Sequence, residues 1–411
     1  MKSYRRVLRH RDFRYLFLGQ AASTTGDRVV LVALALYITQ RTGSATDLSV
    51  ILAAQATPLI VLILLGGVLA DRLPRHRVMV CTDLVRAAVH ALLAVLILSG
   101  APPLWELAAI EAVYGGAMAF FQPAYNGLLP QTVPEELMQD ARALTEAVFC
   151  LAVLVGPVLG TAIVLGIGAG EAFAVDAATF LISAALLMRV RPRARGAVGA
   201  KASVLQDLRR GFDEVRSRPW VWVIIAAFTG AVLCVFAQWY TLAPVIARDH
   251  YGHAGLFGVL ESCAGAGAVI GAALGMRWRP RRPMLVGLLL VLAWPVQNLT
   301  LAVGLPVAVV AVCSAATGFG FSLFGVWWET ALAQHIPPPV LSRVSSYDWM
   351  GSLGLLPVGY VIAGPLAAAL GARVVLGAGA VLGFAMLAAA LLSRTVRELP
   401  SQPRSSRAMS V

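Results

Sequence analysis

Residues 47–99 read DLSVILAAQATPLIVLILLGGVLADRLPRHRVMVCTDLVRAAVHALLAVLILS. Two apolar runs, 47–70 and 78–99, flank the short basic segment DRLPRHR at 71–77. Each run has the length of about 20 residues that an α-helix needs to cross the ~30 Å hydrocarbon core of a bilayer. Hydrocarbon offers no water to backbone N–H and C=O groups, so such a run crosses as a helix, with its hydrogen bonds closed within itself. This stretch predicts two antiparallel spanning helices joined by a charged turn.

The pattern extends in both directions. Further apolar runs fall at 13–38, 103–124, 143–167, 170–189, 219–246, 254–276, 283–303, 306–329, 347–370 and 373–393, which brings the total to twelve. The chain of 411 residues is 59% hydrophobic and 13% charged, against about 25% charged for a soluble domain. The fold expected is an all-α integral membrane protein. The run at the N-terminus is of full spanning length with no small-residue cleavage site, so it is read as a retained helix.

The net charge of +12 would point to nucleic acid in a soluble protein. Its distribution gives another reading. With the N-terminus placed inside, 28 of the 33 Lys and Arg residues fall on the cytoplasmic side and only Arg41, Arg248 and Arg373 on the other, while Arg28 and Arg86 lie within spans. This is the positive-inside asymmetry that sets membrane orientation. It places both termini in the cytoplasm and excludes a nucleic-acid partner. Anionic lipid headgroups are secondary partners for the basic loops.

The longest hydrophilic stretch, 190–218, divides the chain into residues 1–189 and 219–411, each with six spans. The halves repeat at an offset of 203. FFQPAYNGLLPQTVPEEL (120–137) aligns without a gap on LFGVWWETALAQHIPPPV (323–340), Gln131 on Gln334, Pro134 on Pro337 and Gly156 on Gly359. A parallel duplication of six helices is the plan of a two-bundle carrier.

The segment GVLADRLPRHR (67–77), FRYLFLGQAASTTGDRVVL (13–31), FFQPAYNGLLPQTVP (120–134) and SRVSSYDWMGSLGLLPVGYVIAGP (342–365), taken in order, resemble the major facilitator superfamily. The likeness is to its drug:proton antiporter branch, which includes macrolide exporters and the enterobactin exporter. Gly67, Asp71, Arg72 and Arg75 match the family's motif A, and Arg77 follows a displaced second basic position at His76. The resemblance implies a two-bundle fold that alternates access and a motif A gate. In that gate Asp71 meets the positive N-terminal end of the eleventh helix, near Ser345 and Ser346, which are positioned to cap it. Glu111, in EAVYG (111–115), stands where the family's motif B carries arginine.

The acids inside the spans are the informative positions. An ionised group at mid-membrane costs at least about 2.5–3.5 kcal/mol, so it needs a partner, water or a proton. A carboxyl that takes up and releases a proton is the requirement for a proton-coupled carrier. Asp27 lies about 14 residues into the first helix, roughly 20 Å from its inner end. Glu111 lies about eight residues into the fourth, roughly 12 Å from the outside. Their similar depth predicts a proton- or cation-binding pair. Glu261 in the eighth helix is the acid at comparable depth in the second half, expected to bind cationic substrate or a further proton. Arg28 is read as the cation at this level, a counter-ion for Asp27 or Glu111. Asp83 and Arg86, at i and i+3, share a helix face and are expected to form a local pair supporting motif A. Asp176 is read as a structural pairing residue. Gln238, Trp239 and Tyr240 either meet substrate or form an interfacial belt, and Trp327 and Trp328 are expected in such a belt.

Cys81, Cys150, Cys234, Cys263 and Cys313 show no metal-ligand or disulfide spacing. The sequence contains no nucleophile elbow, zinc-ligand helix motif or phosphate loop, so neither an enzyme, a cofactor, a metal nor ATP is expected. The function expected is secondary active, proton-coupled efflux of small amphipathic compounds by a monomer in the inner membrane. The alternative is a narrow carrier of a lipid or siderophore-like metabolite, acting by uniport.

Overall fold

A computed structural model of the chain describes residues 2–192, 212–253, 255–275 and 277–401. The described residues contain twelve helices long and apolar enough to cross a membrane, and no strand. The linker at 190–218 therefore falls largely outside the described residues, as does the basic tail beyond Ser401.

In chain order the first six helices are Arg11–Thr42, Ala45–Arg72, Arg75–Ser99, Leu104–Leu128, Met138–Gly166 and Ala169–Leu187. The seventh spans Pro219–Tyr251, the eighth Leu256–Gly275, the ninth Pro283–Val303 and the tenth Val307–His335. The eleventh runs as Pro338–Leu353 and Leu356–Leu370, and the twelfth is Ala372–Ala390. Several helices outrun the apolar segments that announced them, because the backbone ladder continues into polar residues until something stops it. The first helix continues to Thr42, where Gly43 takes the left-handed conformation (φ 66°) and its N–H returns to the Thr39 carbonyl. Such a cap suits glycine, which carries no Cβ penalty there. Ser44 Oγ then accepts the Asp47 N–H at 3.1 Å and starts the second helix.

Residues Met1–Val198 and Ala247–Ser262 form one compact unit, and Gly199–Ile246 with Cys263–Val411 the other. The segment Ala247–Ser262 joins the first unit through specific contacts. Arg248 Nη1 donates to the Thr39 carbonyl at 2.6 Å, and Gly258 lies against the Pro157 carbonyl and the Thr161 side chain.

Small residues set the helix spacing within each unit. In the first, a Cβ on Gly115 would strike the Gln55 carbonyl of the second helix, and one on Gly156 would strike Arg28 of the first. In the second unit, Gly318 lies against the Ala264 carbonyl of the eighth helix and Gly359 against Leu233 and Ala237 of the seventh. Gly115 and Gly318, like Gly156 and Gly359, are separated by the repeat offset of 203. The duplication is therefore visible in packing, with equivalent glycines closing equivalent helix pairs. Such close approaches are how helices associate where lipid removes the hydrophobic drive between them.

Trp327 and Trp328 do not form a belt. Both are buried, with Trp327 Nε1 donating to the Trp278 carbonyl at 3.1 Å and Trp328 Nε1 to Asp348 Oδ2 at 2.8 Å. Their indole N–H groups found partners inside the helix layer, which removes the reason for an interfacial position. Trp239 and Gln238 are buried as well.

Candidate functional site

Six of the first unit's ionisable side chains converge in the membrane-embedded part of its helices. Asp83, Arg86 and His90 follow one another at three- and four-residue steps along the third helix and so share one face. Asp27 comes from the first helix, Glu111 from the fourth and Asp176 from the sixth. Asp83, His90, Glu111 and Asp176 are fully buried and Arg86 is 1% exposed. The Asp27 side chain alone is partly open, at 26%.

Two linked clusters result. In the first, Arg86 Nη2 bonds Asp83 Oδ1, and Arg86 Nη1 lies 3.7 Å from Asp27 Oδ2. Its guanidinium is 4.2 Å from the ring centres of both Phe121 and Phe180, where cation–π attraction replaces part of the lost hydration. Tyr114 donates its hydroxyl to Asp27 Oδ1 at 2.5 Å. In the second cluster, His90 Nδ1 lies 2.5 Å from Asp176 Oδ2 and His90 Nε2 lies 3.9 Å from Glu111 Oε1. Gln55 Nε2 donates to Glu111 Oε2 at 2.8 Å. The clusters are joined by the Tyr114 and His90 rings, stacked at 4.4 Å and 9°.

Local sequence makes room for these contacts. Gly26, one residue before Asp27, leaves the space taken by Asp176 Oδ1 and Thr179. Gly115 brings the second helix close enough for Gln55 to reach Glu111.

Asp27 and Glu111 thus lie in one polar layer, but no direct hydrogen bond or ion pair joins them among the described residues. Arg28 is not their counter-ion. Its guanidinium lies 4.9 Å from the Phe149 ring centre on the fifth helix, because neighbouring helical positions point to different faces. The cation at this depth is Arg86, placed deeper than expected because the third helix begins at Arg75 rather than 78. Asp83 and Arg86 do pair, yet the pair belongs to the buried network and not to the loop alone. Glu261 is half-buried on the eighth helix.

In motif A, Arg75 Nη1 donates to the Gly127 carbonyl at 2.8 Å, tying the loop to the C-terminal end of the fourth helix. Gly67 has open space where a Cβ would be, and Arg72 and Arg77 are exposed. The side chains of Asp71 and Ser346 lie outside the described residues. Ser345 and Ser346 do not cap the eleventh helix, which begins earlier, at Pro338 with Pro337 as N-cap. The chain continues helically upstream of the apolar run, which moves both serines into its interior.

His90, Tyr114 and Gln55 were missed from sequence. The signal was present for His90, as the third polar residue of a stripe on an otherwise apolar helix. The partners of Gln55 and Tyr114 depend on tertiary packing. In the second unit the seventh helix widens into a π-turn at Val232–Phe236, a distortion often found at functional sites. The buried Asn298 donates Nδ2 to the Val235 carbonyl there at 2.9 Å. Beside it Phe228, Phe236, Trp294, Phe321 and Phe324 form a continuous aromatic cluster.

Comparison with known proteins agrees with this architecture. The chain is 27% identical over 361 residues to the multidrug efflux pump Tap of Mycolicibacterium fortuitum, covering 84% of this chain and 87% of that one. It is 24% identical over 359 residues to macrolide efflux protein A of Streptococcus pyogenes, covering 85% and 88%. Further relatives from Bacillus align over 66% of their own length. The fold matches the crystal structure of a bacterial homolog of the human lysosomal transporter Spinster, in an inward-facing and unoccupied conformation. That match has a TM-score of 0.70 and 16% identity, with 97% of this chain and 98% of that one covered. The sequence profile of the Major Facilitator Superfamily matches residues 16–354. With twelve spanning helices and this match over most of its length, the chain is a multi-pass membrane transporter, not an enzyme, and belongs to the Major Facilitator Superfamily.

Proposed function

We propose that this transporter exports small amphipathic compounds in exchange for protons, alternating its access between the two sides of the membrane. It works as a monomer in an inner (plasma) membrane of bacterial type, with both termini cytoplasmic. The observation that carries the proton coupling is the charge balance of the buried network. Four carboxyls, Asp27, Asp83, Glu111 and Asp176, share one arginine and one histidine. Even with both bases charged, two carboxylates are left unmatched. An uncompensated buried charge costs several kcal/mol, and binding a proton removes it. Asp27, the partly exposed member, is the point of exchange.

The amphipathic cargo is supported by the pairing of chemistries in the two units. One holds the acidic network and the other an aromatic cluster of a chemistry suited to apolar or cationic rings. The likeness to multidrug and macrolide efflux proteins favours export. Motif A is proposed as the gate, with Asp71 as its acid and Arg75 fixing the loop.

The test is expression in an efflux-deficient bacterium, with susceptibility measured across macrolides, tetracyclines and cationic dyes. The expected result is raised resistance to at least one class, lost in Asp27→Asn and Glu111→Gln and on collapse of the proton gradient. Full resistance in both variants would reject the assignment of these acids. An unchanged susceptibility across the panel would favour a narrow-substrate carrier.

A further inference from the structure

The second cluster contains a geometry that the charge balance alone does not require. His90 is held at Nδ1 by the Asp176 carboxylate at 2.5 Å. With Asp176 ionised, its carboxylate can only accept, so Nδ1 carries the hydrogen, and in a neutral ring Nε2 is then a bare lone pair. That lone pair faces Glu111 Oε1 at 3.9 Å. Among the described residues neither Nε2 nor Oε1 has a hydrogen-bond partner, and both residues are fully buried. Two acceptors therefore confront each other inside the membrane-embedded part of the protein, too far apart for a hydrogen bond and with nothing donated to either.

We propose that His90 Nε2 and Glu111 Oε1 form a binding site for a single shared proton, distinct from the partly exposed carboxyl of Asp27. This rests on the proton-coupled reading above and names the place where the proton is held. A proton from water ends either on Nε2, giving an imidazolium between two carboxylates, or on Oε1, giving a carboxylic acid that donates to the imidazole. No other bond is made or broken. In either form one acceptor becomes a donor, and the 3.9 Å gap closes toward hydrogen-bond length.

The groups around the site fit this role. From the second helix Gln55 holds Glu111 Oε2, which leaves Oε1 for the proton. From the sixth helix Asp176, itself approached by Thr179 Oγ1 at 3.3 Å, orients the imidazole. From the fourth helix Tyr114 stacks on His90 and donates to Asp27 of the first helix. Asp83 and Arg86 complete the third-helix face. Asp27 thus has both exposure and a direct link to the ring that covers the buried site. A proton arriving at Asp27 changes the bonding of Tyr114, and so the environment of His90, without water entering the layer.

The experiment is infrared difference spectroscopy of the purified full-length protein in lipid, recorded between alkaline and acidic pH without any transported compound. His90→Asn is the informative variant, because the asparagine amide occupies the place of Nδ1–H and keeps the Asp176 bond while Nε2 is deleted. Glu111→Gln, which keeps the Gln55 contact, identifies the Glu111 carboxyl band. The expected result is a pH-dependent Glu111 band, a carboxylic-acid band where the proton rests on Oε1 or a shifted carboxylate band where it rests on Nε2, that disappears in Glu111→Gln and is displaced in frequency and in midpoint by His90→Asn. It is accompanied by an imidazole ring band, marked by labelled histidine, that is missing in His90→Asn and altered in Glu111→Gln. A Glu111 band unmoved by His90→Asn would overturn the shared site, even in a protein that moves protons with its cargo. Should the bands behave as expected in a protein whose transport ignores the proton gradient, the site would stand and the coupling reading would fail.

Discussion

Arg86 on the third helix and Asp27 on the first face each other at 3.7 Å, the guanidinium almost fully buried and the carboxylate partly open. The resemblance to drug:proton antiporters leads one to look for an arginine on the fourth helix, where this chain has Glu111. The cation has not been lost from the polar layer. It is supplied from the third helix, fixed by Asp83 and clamped between Phe121 and Phe180.

Arg86→Ala should be among the most damaging single changes in the first unit. It leaves Asp83 buried without its cation, a loss of about 3–5 kcal/mol for a broken buried pair. Arg86→Lys should recover part of this, because an ammonium keeps the charge but cannot reach both Asp83 and Asp27 while lying flat between two rings. Arg86→Leu combined with Asp83→Leu should be far milder than Arg86→Ala. Thermal unfolding in detergent, followed by loss of soluble monodisperse protein, gives the ranking.

Gly115→Ala and Gly318→Ala should destabilise to a similar degree, by about 1–3 kcal/mol each for a methyl forced into a packed contact. Each added Cβ meets a backbone carbonyl, of Gln55 and Ala264 respectively, which cannot swing aside. Gly67→Ala, in motif A, meets nothing within 4 Å and should leave the melting temperature unchanged or slightly raised. Melting temperatures of the three variants, compared side by side, check the packing equivalence of the two units.

Asn298→Ala removes the donor that reaches the Val235 carbonyl in the π-turn. A buried acceptor left without a partner costs about 1–3 kcal/mol. Asn298→Asp should not restore stability, because a carboxylate offers no hydrogen to the carbonyl, whereas Asn298→Gln should restore some of it. Hydrogen exchange of the seventh helix should increase around 232–238 in Asn298→Ala and stay near wild type in the first unit.

Arg75→Ala should lower transport more than stability. The side chain is half-buried and donates a charged hydrogen bond to the Gly127 carbonyl, worth about 1 kcal/mol at such a partly solvated position. Initial transport rates against melting temperature separate the two effects. A variant that melts as wild type and transports at a several-fold lower rate fits a loop that must be held to the fourth helix for gating.

Much of this architecture is legible in the chain itself. Apolar runs of membrane length mark the twelve helices, and the 203-residue repeat marks the duplication between them. The glycines at 156 and 359 already mark equivalent packing positions. What the chain does not display is which buried polar groups meet. Asp27 and Glu111 stand out as acids in apolar runs, but their partners come from other helices through side-chain direction. Arg28 follows Asp27 in sequence and turns away to Phe149, while Arg86, 59 positions on, turns toward it. Helix ends are equally hidden, because hydropathy marks where a helix enters lipid and not where its hydrogen bonds begin. That is why Ser345 and Ser346 fall inside the eleventh helix, and why Arg86 lies deeper in the third than the apolar run indicated.

The most direct test of the proposed coupling is proton movement driven by the exported compound itself. Purified protein is placed in liposomes holding a pH-sensitive dye, and a compound identified by the susceptibility panel is applied as a gradient with no imposed pH difference. The account predicts proton flow opposite to the compound, abolished in Asp27→Asn while compound binding remains measurable. Compound flux at the wild-type rate with no accompanying proton movement would contradict it.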